Sequence, residues 1–160
     1  MRYMALPAMA MAMAMAMSGS LSAAEFKDTA AGMSADQKAA LACFQAFLDG
    51  LGKRDKAAMM AQLLPGGSAV LMRKGKPVQM TLEALADRLS QPGAESREER
   101  IRDAVVHVDG DVGTIWAPFE FLVEGKIDHC GRDIANVVRI DGRWVIAAVE
   151  DNSRTECAEH

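Results

Sequence analysis

The chain has 160 residues, half of them hydrophobic, with 18 basic and 22 acidic residues and a formal net charge of −4. A chain of this length supplies one domain with a single hydrophobic core. It is acidic and lacks a basic stripe that would follow a phosphate backbone, so we predict that nucleic acid is not a partner.

The first 24 residues have the pattern of a secretory signal peptide. After Arg2 the chain carries no charge as far as Ala24, consists mainly of Met-Ala repeats, and ends in small residues that suit cleavage before Glu25. Its hydrophobic part is short for the ~20 apolar residues of a membrane span, so we expect cleavage rather than anchoring, with no stable membrane insertion afterwards. The mature chain is therefore expected to be periplasmic or secreted. This interpretation divides the chain into a signal peptide (1–24), a flexible lead-in (25–33), one domain (34–152) and a C-terminal tail (153–160).

Two amphipathic helices are predicted next. Ser34 and Gln37 form a capping box, and apolar residues then recur at helical spacing until two glycines end the pattern. A second, shorter helix is predicted from Asp55 through Leu64, before a Pro-Gly-Gly stop. Both helices have the pattern of covers for one face of a sheet.

A short hairpin and a third helix follow. Residues 68–73 and 78–80 are predicted as strands, and Thr81 is predicted to cap a helix with inward leucines that ends at a Pro-Gly pair. The mixed charge cluster at 95–102 is interpreted as the solvated start of a further strand.

The last third of the domain predicts a meander of four long strands. Three sites, Asp109-Gly110, Glu124-Gly125 and Asp141-Gly142, place a glycine where a two-residue hairpin turn requires positive φ. The predicted strands between these turns are 97–108, 112–123, 127–140 and 143–151. Pro118, Gly113 and Gly131 lie inside them, where they suit bulges or kinks of a curved sheet.

Regular pairing across the turns assigns the residues of the meander to two faces. It places Arg132 opposite Asp151, and the more apolar face is assigned to the helices. That face contains Ile115, Ala117, Phe119, Phe121, Arg132, Ile134, Asn136, Val149 and Asp151. The opposite, outer face contains Trp116, Glu120, His129, Asp133, Val137, Trp144, Ile146 and Glu150. A single bulge at Pro118 or Gly131 would exchange the faces locally.

Three cysteines, Cys43, Cys130 and Cys157, follow the leader. In an oxidising compartment one pair is able to form a disulfide, and Cys130 with Cys157 is the favoured pair because the last strand ends near residue 132. The alternative is that all three are small buried or tail residues.

The order of elements, together with Gly-Arg-Trp-Val-Ile at 142–146 preceded by Val-Arg-Ile-Asp, resembles the nuclear transport factor 2-like superfamily, also called cystatin-like. The resemblance is closest to its small secreted bacterial members with a SnoaL-like or ketosteroid-isomerase-like fold. It implies an α+β, cone-shaped half-barrel in which a bent antiparallel sheet packs on N-terminal helices around a pocket. It also implies a homodimer formed through the outer sheet face. The superfamily contains isomerases, cyclases, dehydratases and many domains without enzymatic activity, so it is informative for fold and uninformative for function.

The candidate ligand pocket is formed by Phe44, Phe47, Phe119, Phe121, Arg132, Asn136 and Asp151. For the phenylalanines the alternative is plain core, and for Arg132 with Asp151 it is a structural ion pair at the pocket mouth. Asn136 is either a core hydrogen-bonding group or a ligand contact. It stands where the resemblance places the oxyanion-hole aspartic acid of ketosteroid isomerase. The tyrosine donor of that enzyme has no counterpart, because the only tyrosine is Tyr3 in the leader, so that activity is not predicted.

The catalytic candidates are His129, Asp133 and Glu120. His129 and Asp133 are about 13 Å apart along a regular strand, so Glu120 on the neighbouring strand is the expected partner of His129. The alternative for His129 is an ordinary histidine of the outer face. The three histidines show no metal-ligand spacing, and no cofactor motif is present in the sequence.

These patterns favour a secreted domain that binds a small apolar organic molecule in its cone pocket and forms a homodimer. One alternative is a cofactor-free cyclase, isomerase or dehydratase that uses polar groups of the pocket. Another is a structural, dimeric interaction module whose cone is filled by its own side chains.

Overall fold

Three helices and seven strands make up residues 32–157, which are the part of the chain described by the computed structural model. The predicted signal peptide and most of the predicted lead-in lie outside these residues. The elements are α1 (Ala35–Lys53), α2 (Lys56–Met60), β1 (Leu63–Arg73), β2 (Lys76–Thr81), α3 (Leu82–Leu89), β3 (Arg97–Ile101), β4 (Val105–Asp109), β5 (Val112–Val123), β6 (Lys126–Ile140) and β7 (Arg143–Arg154). No helix in this part of the chain is long and apolar enough to cross a membrane.

The strands form one sheet in the order β2-β1-β7-β6-β5-β3, with β4 paired to the other half of β5. Helix α1 packs against the sheet, and α3 packs against β1. This arrangement confirms the predicted α+β class. The sheet is mixed rather than wholly antiparallel, because β1 lies parallel to β7. Below, the sheet face toward α1 and α3 is called the inner face and the opposite one the outer face.

Helix α1 begins as the capping box predicts. The Ser34 hydroxyl accepts the Gln37 backbone N–H at 3.2 Å, and the Gln37 side chain accepts the Ser34 backbone N–H at 2.8 Å. The Gln37 amide also donates to the Val106 carbonyl at 2.7 Å, which ties the start of the helix to β4. The helix continues through both glycines to Lys53 and ends at Arg54, which has φ of +54°.

The second helix is shorter than predicted. It covers five residues, and Leu63 and Leu64 belong to β1 instead. Leu63 is buried opposite Ile146, and the Ile146 N–H donates to the Gln62 carbonyl at 2.8 Å. Pairing with β7 therefore overrides the helical pattern at the end of this segment.

The predicted strand 97–108 is two strands, because its two halves pair with β5 in registers that differ by one residue. Ile101 lies opposite Phe119, whereas Val105 lies opposite Trp116. The extra residue is taken up at 102–104, where Asp103 has φ of +43°. The turn after β4 is Gly110-Asp111, one residue later than predicted. The other two turns are confirmed, since both residues of Glu124-Gly125 and of Asp141-Gly142 have positive φ.

Two β-bulges decide which side chains of β6 and β7 face the helices. Asp128 is an extra residue between the pairs Leu122 with Ile127 and Phe121 with His129. Ala147 is an extra residue between the pairs Val137 with Ile146 and Asn136 with Ala148. Each bulge shifts the register by one residue and so exchanges the faces.

The face assignment that assumed regular pairing is therefore wrong in part. Arg132 lies opposite Asn152, and Asp151 lies opposite Asp133. The bulges lie at Asp128 and Ala147, not at Pro118 or Gly131. His129, Asp133, Val137, Trp144 and Ile146 belong to the inner face, and Arg132, Ile134 and Asn136 belong to the outer face.

Cys130 and Cys157 form a disulfide, with their Cα atoms 5.9 Å apart. It fastens the segment after β7 to β6. Cys43 is free and buried on the inward side of α1, and this burial raises the pKa of its thiol to about 11. The Cys43 thiol is therefore protonated at neutral pH and serves as a small apolar side chain.

Candidate functional site

A cavity of about 410 Å³ lies between the inner face of the sheet and helices α1 and α3. Most of its wall is apolar and comes from Phe44, Phe47, Leu48, Leu51, Leu71, Val78, Leu85, Leu89, Phe121 and Val149. Its polar side chains are Arg73, Arg88, Glu99, Asp128, His129, Asp133, Asp151, Ser153 and Thr155. An apolar wall with a few convergent polar groups is the composition of small-molecule sites.

Helix α1 supplies the aromatic wall because its apolar residues recur every three or four positions. Phe44 and Phe47 lie one turn apart on the buried side, with ring centroids separated by 6.5 Å and planes within 8° of parallel. Across the cavity, Phe121 and His129 stack with a centroid distance of 4.7 Å. The cavity is thus bordered by flat rings on two sides.

An ion pair links β1 and β7 at the polar end of the cavity. Arg73 donates from Nη1 to Asp151 Oδ1 and from Nη2 to Asp151 Oδ2, the second at 2.7 Å. Leu71 pairs with Asp151 in the parallel register, so Arg73 follows two residues later on the same side of β1. The bidentate geometry fixes both side chains, and it leaves Arg73 largely neutralised by a single carboxylate.

Two further carboxyl groups, Glu99 on β3 and Asp133 on β6, line the same region of the cavity and interact electrostatically with each other. Asp133 is only 3% exposed, and no N–H or O–H donor of residues 32–157 reaches its buried Oδ2. Two neighbouring carboxyl groups repel each other when both are ionised. The pair therefore favours a state in which one member carries a proton.

Burial, with the nearby Asp151 charge, raises the pKa of Glu99 to about 7. Burial, with the charges of Glu99 and Asp151, also holds the pKa of Asp133 well above its usual range. At neutral pH Glu99 is thus close to half ionised, and the raised pKa of Asp133 favours the protonated form of that carboxyl. Carboxyl groups shifted in this way inside a cavity are a mark of functional sites.

His129 faces the cavity because of the bulge at Asp128. Its ring stacks on Phe121 and meets the edge of Phe119 at a centroid distance of 5.8 Å. Its Nδ1 lies 2.8 Å from Asp128 Oδ2. The expected partner Glu120 is not available, since Glu120 is on the outer face and is paired with Arg102.

The predicted site residues fall into three places. Phe44, Phe47, Phe121, Asp151, His129 and Asp133 line the cavity described above. Phe119, Arg132 and Glu120 line a second cavity of about 390 Å³ beside the disulfide. Asn136 lies on the outer face, where it accepts from the Thr114 hydroxyl at 2.9 Å and donates to Glu150 at 3.2 Å.

Arg73 and Glu99 were missed by the sequence analysis. Glu99 lies in the charge cluster that was interpreted as solvated, yet it alternates with exposed Glu98 and Arg100 and so shares a face with Ile101. Arg73 likewise follows the buried Leu71 by two residues and so shares its face. A period of two is the signal that marks both as inward. No group of three or more His, Cys, Asp or Glu side chains among residues 32–157 is arranged to hold a metal ion.

The raised pKa of Glu99 gives a testable pH dependence. Between a pH of about 4.5 and 7 the unfolded chain loses the Glu99 proton while the folded chain keeps it, so the free energy of unfolding falls as pH rises. Glu99→Gln removes this titration. Between pH 4.5 and pH 8 we expect the free energy of unfolding of the variant to rise by about 3 kcal/mol relative to that of the unsubstituted protein, measured by urea unfolding.

Glu98→Gln is the matched control for this measurement. Glu98 is the exposed neighbour on the same strand and is paired with Arg100. Its substitution should leave the slope of stability against pH unchanged. Parallel pH curves for Glu99→Gln and the unsubstituted protein would show that Glu99 is not buried as described.

Comparison with known proteins found one matching family model, described as "Putative lumazine-binding" and covering residues 35–149. No curated protein matches the chain. Among solved structures, the chain is similar to a cystatin-like protein of unknown function from Nostoc punctiforme, at 12% identity and a TM-score of 0.64, covering 78% of this chain and 95% of that one. An NTF2-like protein from Cytophaga hutchinsonii matches at 17% identity and a TM-score of 0.64, covering 76% and 100% of the two chains.

A third similar structure is described as a putative scytalone dehydratase, from Novosphingobium aromaticivorans. It is 7% identical, with a TM-score of 0.60, and the match covers 78% of this chain and 89% of that one. At these identities the structural matches show the fold alone, which is the nuclear transport factor 2-like, or cystatin-like, cone.

Proposed function

This chain belongs to the family described as "Putative lumazine-binding", and from that premise we propose that it binds a small organic molecule with a flat apolar body in the cavity beneath α1. The observation that carries the proposal is the cavity itself. Its volume of about 410 Å³ falls within the ~300 to 1,000 Å³ of small-molecule sites, and its wall is mostly apolar.

The aromatic walls support a flat ligand. Phe44 and Phe47 border one side, and the stacked pair of Phe121 and His129 borders another. Offset stacking on such rings favours planar molecules. Lumazine, which the family description names, is a flat bicyclic heteroaromatic and is of this type.

The alternative of a purely structural module assumed a cone filled by its own side chains. The phenylalanines of the inner face leave the cavity open, which speaks against that alternative. The homodimer remains part of our proposal, supported by large apolar side chains on the outer face. Trp116 is 44% exposed there, and its ring is covered on one side by Arg132.

We place the protein in an oxidising compartment, periplasmic or extracellular. The Cys130–Cys157 disulfide supports this location, since such bonds persist where thiols are not kept reduced. The signal-peptide pattern of residues 1–24 points the same way.

The binding proposal is tested by native mass spectrometry of the protein purified from its own host. We expect a reproducible extra mass that disappears on denaturation. Val78→Phe narrows the cavity from β2 and should abolish the extra mass, whereas Val70→Phe makes the same change on the outer side of β1 and should retain it. Equal retention in both variants would contradict binding in this cavity.

A second candidate function is a cofactor-free isomerase, cyclase or dehydratase. The Glu99–Asp133 pair favours it, because a carboxyl group that titrates near neutral pH is suited to proton transfer. The test is to incubate the retained ligand with the protein in D₂O and follow loss of its C–H signals by NMR. Exchange that Glu99→Gln abolishes would establish proton transfer, and a ligand recovered unchanged would leave binding as the function.

A further inference from the structure

The charged groups around the cavity are mostly acidic. Glu99 comes from β3, Asp128, His129 and Asp133 from β6, Asp151 from β7, Arg73 from β1 and Arg88 from α3, while α1 contributes only apolar side chains. Arg73 is occupied by Asp151, and Arg88 is exposed to solvent, where its field is screened. Within residues 32–157, the two carboxyl groups of the cavity that form no ion pair are Asp133, which is buried, and Glu99, which is half-buried.

Asp133 carries the clearest unmet hydrogen-bonding capacity at this site. Asp133 is one of two charged residues that are buried within residues 32–157, the other being Glu120. No hydrogen-bond donor of these residues reaches the Asp133 Oδ2 atom. Buried carboxyl oxygens are normally satisfied, and an unsatisfied one is stabilised by an N–H group that arrives with a ligand. The Glu99 carboxyl beside it supplies a second acceptor, so the two together match a group with two N–H donors.

We propose that the polar end of the ligand is a cationic N–H donor, of the amidine, guanidine or amine class, which binds the Glu99–Asp133 pair while its flat body lies between the aromatic walls. The inference rests on the proposed function, because it concerns the polar end of the same cavity. An anionic ligand is disfavoured, since it would bring a negative charge beside three carboxyl groups and only one half-buried guanidinium, which Asp151 already occupies.

Such a ligand competes with protons for the carboxyl pair. Cation binding favours the ionised pair, so affinity increases as pH rises through the range in which Glu99 loses its proton. Protonation of His129 would produce the same trend by repulsion. The Glu99→Gln variant distinguishes these two causes of the pH dependence. An increase in affinity with pH that is due to His129 persists in this variant, whereas one that is due to Glu99 is lost.

The experiment compares three probes that share one ring system and differ in the polar end. They are 2-naphthamidine, a cation; 2-naphthamide, its neutral counterpart; and 2-naphthoate, an anion. Each is titrated into the mature protein at pH 6 and pH 8, with affinity measured by calorimetry and the site mapped by NMR shifts of Phe44 and Phe121. We expect naphthamidine to bind at least about tenfold more tightly than naphthamide at pH 8, with naphthoate weakest.

The pH series and two variants complete the test. The affinity for naphthamidine should rise by about tenfold from pH 6 to pH 8, which is the change in the ionised fraction of a carboxyl group with a pKa of about 7, while the affinity for naphthamide stays level. Glu99→Gln should remove both the preference for naphthamidine over naphthamide and the increase in naphthamidine affinity with pH. Glu98→Gln, at the exposed neighbouring position, should preserve both.

The outcomes separate the inference from the proposed function. Equal binding of all three probes at the cavity, or tightest binding of naphthoate, overturns the inference and leaves the binding function in place. Tightest binding of naphthoate would indicate that the polar end of the ligand binds Arg88 or Arg73. If no probe shifts the Phe44 and Phe121 signals at millimolar concentration and native mass spectrometry shows no retained mass, the inference and the proposed function both fail.

Discussion

Replacing Arg73 by methionine is expected to lower the free energy of unfolding by about 3 kcal/mol at pH 7.5. Methionine keeps much of the apolar stem but removes the guanidinium that neutralises Asp151 through two hydrogen bonds. The Asp151 charge then lies uncompensated near Glu99 and Asp133. We place the effect at the lower end for a buried pair because the Arg73 side chain is 38% exposed.

The loss should depend on pH in a definite direction. Without Arg73 the folded cluster binds protons more tightly, so the variant loses further stability as pH rises and recovers most of it near pH 4.5. Urea unfolding at both pH values measures this change. Arg100→Met is the matched control, since Arg100 forms an exposed pair with Glu98 on β3 and its replacement should leave stability unchanged at either pH. Equal, pH-independent losses in the two variants would show that the cluster is not electrostatically coupled.

Local signals in the sequence were sufficient for the order of elements. The capping residues Ser34 and Thr81 begin helices as predicted, and the glycine turns at 124–125 and 141–142 close hairpins as predicted. These features depend on a few neighbouring residues, so a single sequence contains them. The parallel pairing of β1 with β7 depends on residues about 80 positions apart, and nothing local to β1 indicates it.

The composition of the site was harder to predict because it depends on register. Each bulge adds one residue, and each therefore exchanges the face of every residue beyond it. Asp128 and Ala147 have no property that marks them as bulged, whereas Pro118 and Gly131 do and are not. Regular pairing consequently assigned Asp133 to the outer face. It also placed Arg132 opposite Asp151, the position that Asp133 occupies in the structure.

The same dependence explains why an acidic site escaped notice. A carboxyl group on an inward position is indistinguishable in sequence from one on a solvated face when its strand neighbours are also charged, as Glu98 and Arg100 are for Glu99. Only when β3, β6 and β7 are aligned do Glu99, Asp133 and Asp151 come together. The cavity chemistry is thus a property of the alignment of strands rather than of any one motif.

Gly131 provides a test of that alignment, and we expect Gly131→Ala to lower the free energy of unfolding by at least about 3 kcal/mol. A Cβ at this position would lie 1.8 Å from the Asn152 carbonyl oxygen and 2.6 Å from Cε1 of Phe119. The first contact is with the backbone of β7, so relief requires the β6–β7 ladder to open. Chemical unfolding of the mature, oxidised protein measures the loss.

Two further variants identify which contact is responsible. Adding Phe119→Leu to Gly131→Ala removes the aromatic contact and leaves the Asn152 contact, so we expect it to restore little stability. Gly32→Ala is the control, because a Cβ there meets nothing within 4 Å. If Gly131→Ala is as stable as Gly32→Ala, then β7 does not approach β6 this closely. In that case the register that places Asp151 opposite Asp133 is wrong, and the acidic end of the cavity must be built from other residues.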